Sequence, residues 1–269
     1  MLNFKQFLQE RPVDSEPKYQ TIVVDKAIRL LNAHCKNALW MLHENRPIYR
    51  SDRKLTQVLS DTGVVSLDTR LSTRKSQNTS NFYTLILDNT PSRKDFPKRS
   101  KSLIASTRRS RAEDFSDEIV HAIIPYDDTK IGFVNLDDMW DTRIDIFGVR
   151  RQINTINKFF EEMVDENMID HTWESFIKFD KDVDTIPSLS RKFNKIWNYG
   201  EEGTDKYPHN NFLESIDKAY SPDETGHTWV TASTMPHHSS SEVWVEGDCI
   251  IMTESLWKQI RAAYHELSQ

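Results

Sequence analysis

Residues 242–252 read EVWVEGDCIIM, from Glu242 to Met252. Valine, isoleucine and tryptophan are strand formers and dominate the run, while Gly247 is its turn signal. The stretch therefore predicts extended chain carrying a glycine turn. On its N-terminal side a polar loop, MPHHSSS (235–241), separates it from a second strand-like run, His227 to Ser233. On its C-terminal side Thr253 stands where an N-cap belongs, ahead of a helix whose Leu256, Ile260, Ala263, Tyr264 and Leu267 share one face.

Working outward, similar β-branched or aromatic runs bounded by Pro, Asp and Asn occur at Phe82–Leu87, Ser102–Ser106, Ile119–Ile124 and Ile131–Val134. A helix is expected from Thr21 to Glu44, with Val24, Ile28, Leu31, Cys35, Ala38 and Leu42 on one stripe, which makes Cys35 a buried small hydrophobe. Pro47 ends it, and a short strand then leads to Arg50. A second helix is expected over Gln152–Asp165, and a short one at Phe212–Ala219. We read 51–80 as loop and short helix, and most of 179–225 as loop. Helices and strands come in blocks rather than in regular alternation, so the fold class is α+β: a single domain over 21–269 behind a leader at 1–20.

The chain has 269 residues, 28% of them charged, and a net charge of -6. No apolar run approaches the roughly 18 residues that span a bilayer, so no membrane partner is expected. The opening MLNFKQFLQERP lacks the apolar core of a secretory signal. Two cysteines, Cys35 and Cys249, make neither a disulfide framework nor a four-ligand zinc site, and point to a reducing compartment. With 7 glycines there is no GxGxxG and no GxxxxGK[ST], which excludes the glycine-loop nucleotide folds. The mean charge hides an asymmetry. Between Arg46 and Arg111 lie 15 basic and 5 acidic residues, a local charge of +10, leaving -16 for the remainder. Such a block is either a solvated loop or a surface that meets an anion.

Most catalytic constellations fail on spacing. There is no HExxH, His237 and His238 sit in a serine-rich loop, and no metal site is expected. Asp137, Asp138, Asp141 and Asp145 read as turn and capping residues. Glu242 and Glu246, four apart on a strand, share a side but stand about 13 Å apart. A glycosidase pair needs about 5–9.5 Å, so only one of the two can act, and alone.

What remains is an ordered set of three: Ile48-Tyr49-Arg50 at a strand end, Ser102-Leu-Ile-Ala-Ser-Thr107 on a central strand, and Ser240-Ser-Glu242-Val-Trp-Val on a late strand. The order resembles the arginine, serine-threonine-serine and glutamate signature of the ADP-ribosyltransferase superfamily. The RRSRAEDF that follows the second part is similar to that family's helix after the serine motif. Two departures stand out: the middle motif aligns as Ala105-Ser106-Thr107, with Ser102 as a substitute for the missing serine, and Ser240 occupies the place where arginine-modifying members carry glutamate.

The resemblance implies a split, mainly antiparallel sheet with N-terminal helices and inserted loops, and mono-ADP-ribosyl transfer from NAD as substrate. It makes Glu242 the carboxylate that stabilises an oxocarbenium-like ribose, Arg50 the clamp on the diphosphate or adenosine ribose, and Ser102, Ser106 or Thr107 the holders of the nicotinamide ribose. The loop from Thr231 to Ser241 would present the acceptor, a host protein or nucleic acid. The opening MLNFKQFLQE is similar to leaders on proteins of large tailed bacteriophages, which implies the infected bacterial cytoplasm or the virion. A second reading stays open: a non-enzymatic nucleic-acid-binding or virion-associated protein whose working surface is the basic block at 46–111.

Overall fold

The computed structural model describes residues 18–74, 81–114, 119–134, 136, 142–146, 149–197, 212–236 and 242–267. Along the chain run β1 (Gln20–Thr21), α1 (Val24–His34), α2 (Trp40–His43), β2 (Ile48–Ser51), α3 (Arg53–Leu59), β3 (Val64–Asp68), α4 (Phe82–Asn89), β4 (Leu103–Ser106), α5 (Arg109–Glu113), β5 (Val120–Pro125) and β6 (Lys130–Val134). There follow β7 (Arg143–Ile146), β8 (Val149–Gln152), α6 (Ile153–Asp165), α7 (Trp173–Asp182), α8 (Pro187–Trp197), α9 (Phe212–Ala219), α10 (Pro222–Thr225), β9 (His227–Thr231), β10 (Glu242–Glu246), β11 (Asp248–Thr253) and α11 (Glu254–Leu267). The fold is α+β. Nine strands form one sheet in the order β1-β3-β11-β5-β2-β4-β10-β6-β9, every neighbouring pair antiparallel, and β7 and β8 form a separate hairpin. The leader at 1–20 lies largely outside the described residues, although Gln20 already pairs with Ser66 in the sheet.

The stretch Glu242–Met252 is two strands rather than one. β10 lies between β4 and β6, whereas β11 lies between β3 and β5, so the chain leaves one half of the sheet and enters the other at Gly247. Gly247 has φ +141, and a Cβ there would meet Thr129 Oγ1 at 3.0 Å and Cγ2 at 3.2 Å. Only glycine suits that backbone and that space. The crossing is clasped on both sides: Gly247 N donates to Thr69 Oγ1 (2.9 Å), Thr69 N donates to Gly247 O (3.1 Å), and Thr129 Oγ1 donates to Asp248 O (2.7 Å). Between the halves, β2 and β4 meet at one residue pair, Tyr49 opposite Ser106.

Alternation along β4 and β10 divides their side chains between two cores. Leu103, Ala105, Val243 and Val245 join a core that draws on both halves of the sheet and on α1, α2 and α11. Ile104 and Trp244 join a second, aromatic-rich core with Phe160, Phe176, Phe179, Phe193 and Phe212. Glu242 and Ser106, by the same alternation, lie on the side of the second core.

Four further expectations differ from the structure. Phe82–Leu87 is not a strand but the first three-quarters of α4. The run, apolar but for Thr84, has no period, and the helix buries Phe82, Tyr83, Thr84, Ile86 and Leu87 because core surrounds it on most sides. The single helix over 21–44 breaks after His34, where the Asp127 carboxylate takes the N–H groups of Asn37 (3.0 Å) and Ala38 (2.8 Å) out of the helical pattern. The stretch 51–80 holds α3, capped by Asp52 through Lys54 N and Leu55 N, and the strand β3. The stretch 179–225 holds the end of α7, all of α8 and α10 as well as the expected α9. No described helix is long and apolar enough to cross a membrane.

Candidate functional site

Residues directly opposite in an antiparallel pair point to the same face with Cβ atoms about 5 Å apart. The register therefore sets a row across the sheet: Tyr49 opposite Ser106, Ser106 opposite Glu242, Glu242 opposite Val134, and Val134 opposite His227. Glu242 is at the first position of β10 and only 5% exposed. One oxygen, Oε1, accepts from Arg99 Nη1 at 2.8 Å and from the indole Nε1 of Trp244 at 3.0 Å. Trp244 reaches it because residues two apart on a strand share a side.

Arg99, 4% exposed, belongs to the short 3-10 turn Arg99–Lys101 ahead of β4. Its backbone N–H donates to Asp88 Oδ1 at the end of α4 (2.6 Å), and Ser100 N donates to Asp88 Oδ2 (3.1 Å). The guanidinium lies 5.3 Å from the Trp244 ring centre and 5.6 Å from that of Tyr83. It is a cation walled by aromatic faces and paired with a buried carboxylate.

Arg50, the expected clamp, is bonded within the protein through both terminal nitrogens. Where β2 and β4 part company, its Nη1 donates to the main-chain oxygen of Ile104 on β4, and Nη2 donates to Asp52 Oδ2 at 2.9 Å. Burial pushes the Asp52 carboxyl up, but the Arg50 charge and hydrogen bond, with the N–H groups of Leu55 and Lys54, outweigh it and hold the pKa below the usual range. Arg74 lies in the same neighbourhood, its backbone N–H on Ser100 O at 2.7 Å. Burial, with the guanidiniums of Arg99 and Arg50, brings its pKa down to about 9 against the opposing pull of Glu242 and Asp52.

The three sequence motifs thus occupy three adjacent strands, with Arg50 on β2, Ser106 on β4 and Glu242 on β10. Ser106 is buried and accepts from Arg108 N at 3.0 Å. Ser102 is not part of this group: four residues back along the chain, about 13 Å at strand spacing, it turns its hydroxyl onto Lys98 O (2.7 Å). Thr107 is half-buried just past the end of β4. The loop Thr231–Ser241 is described only to residue 236, and Asp137, Asp138 and Asp141 lie outside the described residues. Cys35 and Cys249 are both fully buried and free, and burial pushes Cys35 up to about 12 and Cys249 higher still. Reading residues by motif missed Arg99, Trp244, Tyr83 and Arg74. The signal available was Trp244, two positions after Glu242, whereas Arg99 was one cation among fifteen.

Part of the basic block is spent inside the fold or on carboxylates at its surface. Arg93, 1% exposed, donates to Tyr220 O (2.6 Å), Thr225 Oγ1 (2.6 Å) and His227 Nδ1 (2.8 Å), and so fixes the proton of that imidazole on Nε2. Burial, with Arg93 and Arg99 nearby, keeps His227 neutral. Arg70 pairs with Asp68 and Asp248, Arg109 with Glu113 and Glu254, and Arg111 with Asp114. Among the described residues no three His, Cys, Asp or Glu side chains gather in a metal-binding group. No protein-family model, no curated protein and no solved structure matches the chain.

Proposed function

We propose that the chain is a mono-ADP-ribosyltransferase that cleaves NAD at the nicotinamide–ribose bond and passes ADP-ribose to a macromolecular acceptor of an infected bacterial host. The observation that carries the reading is the cross-strand pair Glu242–Ser106, with the Arg50 strand next in line. That is the juxtaposition the three-motif resemblance requires, and residues 50, 106 and 242 are too far apart in sequence for local structure to impose it.

The chemistry follows from the side chains. As the C1–nitrogen bond of NAD lengthens, positive charge grows on the ribose, and nicotinamide leaves with the bonding pair. The Glu242 carboxylate accepts a hydrogen bond from the ribose 2-hydroxyl and stabilises that charge; in a buried setting its field is less screened than in water. The acceptor oxygen or nitrogen then bonds to C1 and loses its proton, so that NAD and acceptor become nicotinamide, ADP-ribosyl acceptor and a proton. Ser106 stands beside Glu242 to hold the same ribose. Arg50, tied to Ile104 O and Asp52, fixes the spacing of β2 and β4, and Arg74 is the cation nearby suited to the diphosphate.

The competing reading, a nucleic-acid-binding surface, draws on the same basic block. The burial of Arg93 and Arg99 inside the fold, and the pairing of Arg70 and Arg109 with surface carboxylates, weigh against it. Incubation with labelled NAD and host lysate tests the enzyme reading: label enters protein or nucleic acid with the wild type and drops at least 100-fold with Glu242→Gln, on the order seen when one transition-state contact is removed. Equal incorporation by the two overturns it.

A further inference from the structure

Resting on that reading, we propose that Arg99 is the positioning residue of the site: it holds the Glu242 carboxylate charged and aimed at the ribose. Two features of the geometry carry this. First, the pair is deeply buried, 4% and 5% exposed, and a carboxylate so placed keeps its charge only against a partner cation. Second, Arg99 is itself immobilised. Asp88 fixes its main chain, and the Tyr83 and Trp244 rings bound its guanidinium, so the direction of the Nη1–Oε1 bond is set before any ligand arrives.

Among the described residues, the charged and titratable groups around this pair include Arg74 from the segment after β3, Arg50 and Asp52 at the end of β2, Tyr83 and Asp88 on α4, and His227 on β9. Asp52 is taken up by Arg50, and His227 by Arg93. Arg74 adds positive charge of its own, and it feels Glu242 across the site. Arg99 acts at hydrogen-bond distance, so its removal takes a contacting cation away from the carboxylate.

The test uses the full chain labelled with carboxyl-13C glutamate, the Glu242 signal being the one lost in Glu242→Gln. Relative to the wild type, Arg99→Gln should need a pH about one to three units higher to reach half-ionisation of that signal, the usual reach of one close opposite charge. Arg99→Met, which fills the slot between the rings without charge, makes the same test if the Gln variant does not fold. Arg99→Lys should stay near the wild type, and Trp244→Phe, which removes a donor but no charge, should move less than Arg99→Gln. An unchanged midpoint in both neutral variants overturns the proposal. In parallel, nicotinamide release by Arg99→Gln should lose kcat on the acid side in step with the carboxyl midpoint, regain it as pH rises, and keep KM for NAD within about threefold. A loss confined to KM, or one that neither high pH nor Arg99→Lys restores, also overturns it. Equal nicotinamide release by wild type and Glu242→Gln strikes the NAD reading instead, and the carboxyl titration still decides whether Arg99 holds the charge.

Discussion

Replacing Gly247 by alanine adds one methyl group at the point where the chain crosses between the two halves of the sheet. The backbone there has φ +141, a region that costs an L-residue about 1–3 kcal/mol. The new Cβ also arrives 3.0 Å from Thr129 Oγ1, 3.2 Å from its Cγ2 and 3.4 Å from its Cα, and forcing an extra carbon into packed surroundings costs about another 1–3 kcal/mol. Relief by movement is poor, because Thr129 is tied to Asp248 O and Gly247 to Thr69. We expect Gly247→Ala to lose about 3 kcal/mol in urea unfolding followed by tryptophan fluorescence. The two contributions separate in a cycle with Thr129→Ala. That change loses one hydrogen bond, about 1 kcal/mol, but removes the two nearest atoms of the clash, so the double variant should be about 1–2 kcal/mol more stable than the sum of the single changes. A loss below about 0.5 kcal/mol for Gly247→Ala, or strict additivity in the cycle, would refute the argument that conformation and contact at this crossing exclude every side chain.

A second glycine bears on the site itself. Gly132 faces Trp244 across β6 and β10, and a Cβ there would stand 2.8 Å from Trp244 Cε3 and 2.8 Å from Pro97 Cγ. Gly132→Ala should cost about 1–3 kcal/mol and displace the indole that donates to Glu242; an unchanged rate of nicotinamide release would show that the indole does not matter to the carboxylate. The third prediction concerns pH. His121, 1% exposed and bonded through Nε2 to Thr56 Oγ1 at 2.9 Å, is pushed down to about 4 by burial, with Asp52 pulling the other way. The folded state thus binds fewer protons than the unfolded one between pH 6.5 and 4, so the contribution is whole above about 6.5 and lost as pH falls through that window. The wild type should lose about 3 kcal/mol more than His121→Asn between pH 7 and 4; parallel losses in urea midpoint would exclude His121 as the cause.

The strands β4, β5, β6 and β9 and the helices α6, α9 and α11 were legible because each carries its own period or turn signals. The elements that were misread are those whose shape is decided by a distant residue. Asp127 ends α1, and core on most sides of Phe82–Leu87 makes that run a helix. Gly247 was legible as a turn, but not as a crossing: the sequence on either side of it is equally strand-like, and only the pairing of β10 with β4 and of β11 with β3 tells the two apart. The site divides in the same way. Glu242, Ser106 and Arg50 stand out by type and order. Arg99 does not, since its meaning lies in a 2.8 Å contact to a residue 143 positions away, and nothing in a run of cations distinguishes the buried one from the solvated ones.

Strand order also dictates when the sheet can exist. β10 is the bridge between β4 and β6, and β11 the bridge between β3 and β5. Without them the main sheet falls into three pieces, β1-β3, β5-β2-β4 and β6-β9, each with an unpaired edge toward the gap. During synthesis at about 5–20 residues per second, a nascent chain spends several seconds with those edges open before residue 253 emerges. Sequence separations of well over a hundred residues make the final stitching slow, and open edges invite pairing with other chains. The same twelve residues that carry Glu242 therefore also close the fold, so a truncated or stalled product cannot assemble the carboxylate site.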